Sequence, residues 1–151
     1  MFDVTDPALD AFRADAAAWI KANFPPSLAD KNPQRFLTDG AYADADADFQ
    51  LWLQRVVAKG WGAPTWPVEY GGAGMSAPQA GIIAEEYARA GGPNSELLFV
   101  GCNHAAPTIM ARGTQAQKDY HLPRILRGSS KAVALARLDD FQVKEDIEMS
   151  E

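Results

Sequence analysis

Residues 60–74 read GWGAPTWPVEYGGAG, and the organisation of the whole chain follows from this stretch. It contains two tryptophans, two prolines and five glycines. Proline fixes φ and removes an N–H donor, and glycine accepts positive φ, so neither a helix nor a strand interior is expected here. We predict a bent, rigid connection held in place by Trp61 and Trp66. By composition alone, an ordinary loop with two buried tryptophans fits equally well.

Two helices are predicted on the N-terminal side of this connection. Asp6 and Pro7 suit the N-cap and the first helical position, and apolar residues then recur at helical spacing as far as Phe24. Residues 27–40 are polar and contain a proline, which predicts a loop. The second helix is predicted from about residue 41 to residue 59.

Three acids alternate with alanines where this second helix is predicted to begin: Asp44, Asp46 and Asp48. Alternate positions on a helix do not converge on one point, and the glycine and later glutamate of a calcium-binding loop are missing. A solvated helix start is therefore favoured over a metal site.

Helices are also predicted on the C-terminal side, over about residues 76–90, 94–112 and 114–128. Ser76 suits an N-cap, and Thr114 with Gln117 forms a T-x-x-Q capping box. Pro123 is expected to kink the last helix. Helices with short connections and no alternating strand pattern predict an all-α bundle of about five to six helices. Residues 132–143 fit a short strand or a sixth helix.

Charge is concentrated near the C-terminal end of the sequence. The formal net charge is -6, and residues 139–151 contain six acids against one lysine. We interpret 129–151 as an acidic tail and 1–128 as the helical domain. An acidic chain lacks the basic face of a nucleic-acid-binding protein, so that class is excluded.

The sequence predicts a cytoplasmic protein. Cys102 is the only cysteine, so no internal disulfide can form and a reducing compartment suits the chain. The first residues, MFDVTDPALDAF, have acids where a signal peptide has a basic start and an apolar run. No apolar stretch approaches the length of a membrane span.

The titratable residues form no complete catalytic constellation. Glu85 and Glu86 are neighbours whose side chains diverge by about 100° on a helix, so one salt-bridged and one solvated carboxylate are expected rather than an acid–base pair. Cys102 and His104 are two residues apart and face away from each other, so an inert buried thiol is expected. His104 and His121 have no partners at metal-ligand spacing, and no metal site is predicted.

Three motifs in order nevertheless resemble a known family. They are GWGAPTWPVEYGGAG at 60–74, IIAEEYARAGGP at 82–93 and PTIMARGTQAQKDYHLPRILRG at 107–128. Over about residues 51–128 the chain resembles the N-terminal helical domain of acyl-CoA dehydrogenases, in particular a bacterial branch with fatty-acyl and steroid side-chain enzymes.

This resemblance implies a flavoenzyme in which helical domains and a middle β-domain enclose FAD and an acyl-CoA thioester. In such enzymes a glutamate removes the α-proton and the β-hydrogen leaves as hydride to the flavin. The N-terminal domain mainly shapes the cavity for the acyl tail. Carried over by register, four residues would line that cavity here: Leu98, Phe99, Asn103 and Pro107. Asn103 is polar, which would suit a hydroxylated or bulky substrate, or a side chain that turns aside.

The family pattern is followed only as far as residue 128. The family continues with W-C-Q and S-E-P-x-A-G-S-D into the flavin-contacting β-domain, whereas residues 129–151 read SSKAVALARLDDFQVKEDIEMSE. We therefore expect a truncated member, whether a natural fragment, a frameshifted reading frame or a trimmed product. Such a chain would carry no catalytic base and no cofactor-binding residues, and alone would be inactive, bind FAD unstably and bind acyl-CoA weakly or not at all. The alternative is a helical module that assembles with complete dehydrogenase subunits, because its uncovered faces favour association.

Overall fold

The computed structural model describes residues 6–32, 45–93 and 101–127, and within these ranges the chain forms five α-helices and no strand. The helices are α1 (Pro7–Asn23), α2 (Ala47–Ala58), α3 (Ala77–Arg89), α4 (Ala106–Arg112) and α5 (Gln115–Leu126). Short 3-10 turns lie at Pro26–Leu28 and Val68–Tyr70, and a π-helical segment at Gly101–Ala105 precedes α4. The predicted all-α bundle is confirmed.

The ends of α1 follow from local chemistry. The Asp6 side chain accepts a hydrogen bond of 2.9 Å from the amide of Ala8, and Pro7 occupies the first turn. Phe24 is extended at the C-terminal end, immediately before Pro25. A residue preceding proline is disfavoured in the helical region, so the helix ends where the sequence predicted.

Helix α2 begins later than residue 41, where the sequence placed it. Asp46 is extended, with φ -79° and ψ 110°, and its carboxylate accepts a hydrogen bond of 2.9 Å from the amide of Phe49. An aspartate in this role interrupts the helix at its own position, because the capping residue itself must be non-helical. The helix predicted from about residue 41 is therefore interrupted at Asp46, although Ala45 is helical, and residues 41–44 lie outside the described ranges.

Both predicted N-caps on the C-terminal side are confirmed. The side chains of Ser76 and Thr114 accept hydrogen bonds from the amides of Gln79 and Gln117, and each glutamine side chain accepts one in return from the amide of the capping residue. These reciprocal bonds satisfy amides that the first helical turn leaves unpaired. Helix α5 continues past Pro123 to Leu126.

The buried apolar side chains form two clusters. The first joins α1, α2 and α3 through Ala16, Ile20, Phe24, Leu28, Phe49, Trp52, Leu53, Val56, Trp61 and Ile82. The second joins α4 and α5 through Ala63, Trp66, Ala106, Ile109, Leu122, Ile125 and Leu126. The connection at residues 60–74 therefore supplies a tryptophan to each cluster.

The connection is also hydrogen-bonded to itself. The amide of Gly74 donates to the carbonyl of Trp66 at 2.9 Å, and that of Met75 donates to the carbonyl of Pro64 at the same distance. Trp61 and Trp66 are both buried. The prediction of a bent segment held by its aromatic residues is thus confirmed.

Two predictions fall on residues outside the described ranges. They concern the acidic tail at 129–151, including the choice between strand and helix at 132–143, and the first part of the helix predicted over 94–112. The domain boundary after residue 128 stays a prediction. No helix in the described part of the chain has the length and apolarity needed to cross a membrane.

Candidate functional site

The helix at Gly101–Arg112 changes its geometry partway along. Its first five residues are π-helical and α4 follows, with Pro107 in the first turn of α4. Pro107 has no N–H to donate to the carbonyl of Asn103, and its ring would crowd that carbonyl in a regular α-helix. The wider i→i+5 turn before Pro107 relieves this conflict. Asn103 is thereby placed on a segment of irregular helix.

The two sides of this helix differ in their surroundings. Ala106 and Ile109 are buried in the second cluster, with 0% and 5% of their surface exposed. Asn103 and Pro107 are exposed. Residues four apart lie on the same side of a helix, so these two exposed side chains share a face.

The structure therefore brings together two of the four residues that the family resemblance assigned to the acyl cavity. Asn103 and Pro107 lie on one exposed helix face. Leu98 and Phe99 lie outside the described ranges. The lining of a cavity by these residues stays a prediction.

Cys102, next to Asn103, has the properties of an unreactive thiol. It is half-buried and packs against the second cluster, and this burial raises its pKa to about 11. A thiolate is the nucleophilic form of cysteine, and burial in apolar surroundings disfavours it. The expectation of an inert thiol agrees with this shift.

Glu85 and Glu86 both form ion pairs, but the Glu85 side chain stays 57% exposed to solvent, in line with the expected difference between the two carboxylates. Arg13 of α1 places Nη1 at 2.7 Å from Glu85 Oε2 and 2.8 Å from Glu86 Oε1. Arg89 also pairs with Glu86, whose side chain is only 8% exposed. Hydrogen bonds to Glu86 and then Glu85 raise the pKa of Arg13. The side chains of Glu85 and Glu86 diverge on α3, but the long Arg13 side chain of α1 reaches both.

Of the three alternating acids, Asp46 and Asp48 form ion pairs, and Asp44 lies outside the described ranges. Lys31 Nζ lies 2.6 Å from Asp46 Oδ2 and 3.3 Å from Asp48 Oδ2, and Ser27 donates a hydrogen bond of 2.5 Å to Asp48. The bond from Ser27, followed by the one from Lys31, lowers the pKa of Asp48. These contacts attach the turn after α1 to the start of α2. In the described part of the chain, no three side chains of His, Cys, Asp or Glu come close enough together to hold a metal ion.

A shallow groove of about 390 Å³ lies between α1 and α3. Its walls are mainly apolar, and they include Ile20, Phe24 and Ala90. The carboxylate of Glu86 also borders the groove, but it is engaged by Arg13 and Arg89. The exposed ammonium group of Lys21 also lines the groove, so a cation is present beside its apolar walls.

The buried polar side chains of the described residues are all paired. An isoalloxazine ring and a pyrophosphate need several donors and acceptors directed into one cavity. Among the described residues, every buried side-chain nitrogen or oxygen already has a hydrogen-bond partner. None of these buried atoms is therefore left over for a flavin.

These helices are similar in sequence to one family of known proteins. The model of the acyl-CoA dehydrogenase N-terminal domain matches residues 7–129. Acyl-CoA dehydrogenase FadE26 of Mycobacterium tuberculosis is 51% identical over 69 residues, which make up 46% of this chain and 16% of that protein. Acyl-CoA dehydrogenase IpdE1 of Mycobacterium tuberculosis is 33% identical over 117 residues, or 78% of this chain and 30% of that protein.

Solved structures with the same fold are also similar in sequence. The ChsE4-ChsE5 complex from Mycobacterium tuberculosis contains a chain with a TM-score of 0.58 and 30% identity, covering 85% of this chain and 30% of that one. The Tcur3481-Tcur3483 steroid ACAD gives a TM-score of 0.59 and 31% identity, covering 85% of this chain and 31% of that one. This chain thus spans less than a third of the length of the relatives it matches.

Proposed function

Since this chain belongs to the acyl-CoA dehydrogenase family, we propose that its helices form one wall of the acyl cavity of an FAD-dependent enzyme that desaturates acyl-CoA thioesters. The family match over residues 7–129 carries this proposal. The exposed face with Asn103 and Pro107 supports it, because a cavity wall has to present side chains that its own domain leaves uncovered. A cytoplasmic location belongs to the same proposal.

The chemistry itself would take place on groups that the described residues do not supply. FAD accepts the hydride in these enzymes and a glutamate removes the α-proton. Proton removal and charge stabilisation both require groups held around the reacting atoms. Residues 6–32, 45–93 and 101–127 leave no buried side-chain nitrogen or oxygen unpaired for a flavin. We therefore propose that this chain alone binds neither FAD nor acyl-CoA stably and is inactive.

The test begins with the purified chain alone. We expect no flavin absorption after incubation with FAD and dialysis, and no reduction of an electron-accepting dye in the presence of acyl-CoA. A yellow preparation that reduces the dye at the rate of a complete dehydrogenase would contradict the proposed inactivity. A complete acyl-CoA dehydrogenase, assayed in parallel, controls for the dye and the thioester.

We propose that Asn103 favours a polar or bulky acyl group over a plain aliphatic tail, because an exposed amide in the wall can hydrogen-bond to a polar group of the substrate. The similarity to the Tcur3481-Tcur3483 steroid ACAD points in the same direction. We propose a steroid-derived acyl group as the substrate class.

This substrate class is testable in any active complex that contains the chain. We expect Asn103→Ala to raise the KM for a steroid CoA thioester more than that for an octanoyl thioester. Gln54→Ala is the matched control, because Gln54 is an exposed amide on α2. Equal changes in both KM values would contradict the assignment of Asn103.

A second function, assembly with a complete dehydrogenase subunit, is favoured by the structural relatives. One of them is the ChsE4-ChsE5 complex, and the name of the other, Tcur3481-Tcur3483, gives two components. Size-exclusion chromatography with light scattering, with and without a complete subunit, tests this role. A chain that stays monomeric and elutes separately from every such subunit would exclude it.

A further inference from the structure

Positive charge is concentrated in one of the three described segments. Residues 101–127 have one acid, Asp119, against four bases: Arg112, Lys118, Arg124 and Arg127. Residues 6–32 and 45–93 each contain more acids than bases. Net charge far from zero on one surface attracts segments of the opposite sign.

Two of these bases lie on a defined surface, the outer face of α5, formed by Tyr120, Pro123, Arg124 and Arg127. All four residues are exposed, and Tyr120 retains 49% of its accessible surface. The opposite side of α5 is buried in the second cluster through Leu122, Ile125 and Leu126. The outer face of α5 is therefore free of the packing that holds the helix in place.

The guanidinium of Arg124 is preorganised on this face. Its Cζ atom lies 3.7 Å from the centroid of the Tyr120 ring, and its Nη1 donates to the Tyr120 carbonyl. A cation held over an aromatic ring loses less side-chain entropy when it pairs with a carboxylate. Tyrosine and arginine are also the residue types enriched at the centres of protein interfaces.

The arginines of this face have no carboxylate partner among the described residues. In residues 6–32, 45–93 and 101–127, lysine and arginine form ion pairs at Arg13, Lys31 and Arg89. Asp119, the nearest acid in the sequence, accepts a hydrogen bond of 2.7 Å from Gln115. Arg124 and Arg127 are thus available to a further acidic group.

We propose that the acidic run at residues 139–151 of the same chain binds the outer face of α5. This run has six acids and one lysine, which complements the two arginines. Residues 128–138 connect it to α5, and 11 extended residues reach about 36 Å. The face spans only about 10 Å along the helix axis, so the connection is long enough for the run to return to it.

The experiment uses the full chain with a nitroxide spin label on Ser150→Cys, in a Cys102→Ala background. We expect the label to weaken the backbone amide NMR signals of residues 120–127 to less than half of their intensity in the reduced sample. The signals of α1 should keep their intensity. Equal weakening of α1 and α5, or none at α5, would overturn the proposal.

Two further measurements separate ionic docking from nonspecific proximity. We expect Arg127→Glu to restore the α5 signals, whereas Lys21→Glu, the same charge change at an exposed site on α1, should leave them weakened. Raising the salt concentration to about 0.5 M, where the Debye length is about 4 Å, should also restore them. Weakening that persists under both changes would refute the pairing with Arg127.

Isotope mixing identifies the source of the acidic run. Chain that carries the spin label but no ¹⁵N is mixed with chain that carries ¹⁵N but no spin label. We expect no weakening of the ¹⁵N signals, because the run binds its own α5. Weakening in the mixed sample would show that a second copy is the occupant and would overturn the assignment to the same chain.

Discussion

At Gly72 the backbone passes so close to Trp66 that no side chain can be accommodated. A Cβ atom built on Gly72 would lie 2.1 Å from the carbonyl oxygen of Trp66 and 2.5 Å from its Cβ atom. Neither atom can rotate away, because one belongs to the backbone and the other is fixed by a buried indole. The lack of space for a Cβ atom is therefore sufficient to require glycine at position 72.

We predict that Gly72→Ala lowers the free energy of unfolding by about 3 kcal/mol, the upper part of the range for overpacking. Gly81 is the matched control, since a Cβ built there meets nothing within 4 Å. Because Gly81 lies inside α3, Gly81→Ala should raise stability by about 0.5–1 kcal/mol. Urea unfolding followed by circular dichroism measures both changes. Similar effects of the two substitutions would contradict the steric argument.

Cys102 provides a second prediction at the level of one residue. Burial raises its pKa from 9.0 to about 11, so at pH 8 its thiolate fraction should be about 100-fold below that of an exposed thiol. We expect alkylation by iodoacetamide to be slower by a similar factor in the native chain. Unfolding in urea should restore the ordinary rate, and a fast native reaction would show that the thiol is accessible.

Between elements, the pairing of α1 with α3 depends on Glu86 far more than on Glu85. The Glu86 side chain is 8% exposed and has two arginine partners, whereas that of Glu85 is 57% exposed and pairs with Arg13 alone. An exposed ion pair contributes little, because water and salt screen it. A largely buried one is costly to break, because its partners lose hydrogen bonds to a charged group.

We predict that Glu86→Gln lowers the free energy of unfolding by about 1–3 kcal/mol. The adjacent control, Glu85→Gln, should change it by less than about 1 kcal/mol. Urea unfolding at neutral pH measures the change in the free energy of unfolding for both variants. A larger loss for Glu85→Gln would mean that exposure does not govern these two pairs.

The contact between the Pro26–Leu28 turn and α2 should respond to acid. The hydrogen bond from Ser27 and the pairing with Lys31 keep the pKa of Asp48 below its ordinary value of 3.8. The stabilisation is therefore fully present above about pH 3.8 and is lost as the pH falls through the lower, folded-state pKa.

We predict that Asp48→Asn destabilises the chain at pH 7 and reduces the loss of stability between pH 4 and about pH 2. Asp30→Asn, at an exposed acid in the same turn, should retain the acid sensitivity of the original chain. Urea unfolding across this pH range measures the difference. An unchanged acid response in Asp48→Asn would assign the effect to other groups.

For the molecule as a whole, residues 60–74 couple the two apolar clusters. Trp61 packs with α1, α2 and α3, and Trp66 packs with α4 and α5. Gly62 lies between them, where an added Cβ would be 3.0 Å from Val57 of α2 and 3.6 Å from Leu126 of α5. Disturbing one cluster should therefore disturb the other.

We predict that Trp66→Ala lowers the free energy of unfolding by about 3–5 kcal/mol. Fluorescence from the tryptophans of the first cluster should lose its native signal at the same urea concentration as the helical circular dichroism. Thr65→Ala, at the exposed neighbour in the same connection, should change stability by less than about 0.5 kcal/mol. Separate transitions for the two signals would show that the clusters unfold independently.

The proposed cavity wall rests on family resemblance and not on a local pattern in the sequence. Asn103 and Pro107 are both exposed, whereas Leu98 and Phe99 lie outside the described ranges, so the assignment of these four residues stays a prediction. No local pattern could identify residues 101–112 as such a wall, because a cavity wall is defined by the groups that lie opposite to it. The irregular turn before Pro107 was in principle predictable from the proline.

By itself the sequence determined where the described helices begin and end, with α2 as the exception. The N-caps at Asp6, Ser76 and Thr114 act on amides two or three residues away, so a few adjacent residues are enough to predict them. Only the tertiary structure decided which charges meet. Arg13 and Glu86 are separated by 73 residues, and no local pattern could pair them. Their contact exists because burial of the two apolar helix faces brings α1 and α3 together and leaves these ionic groups side by side.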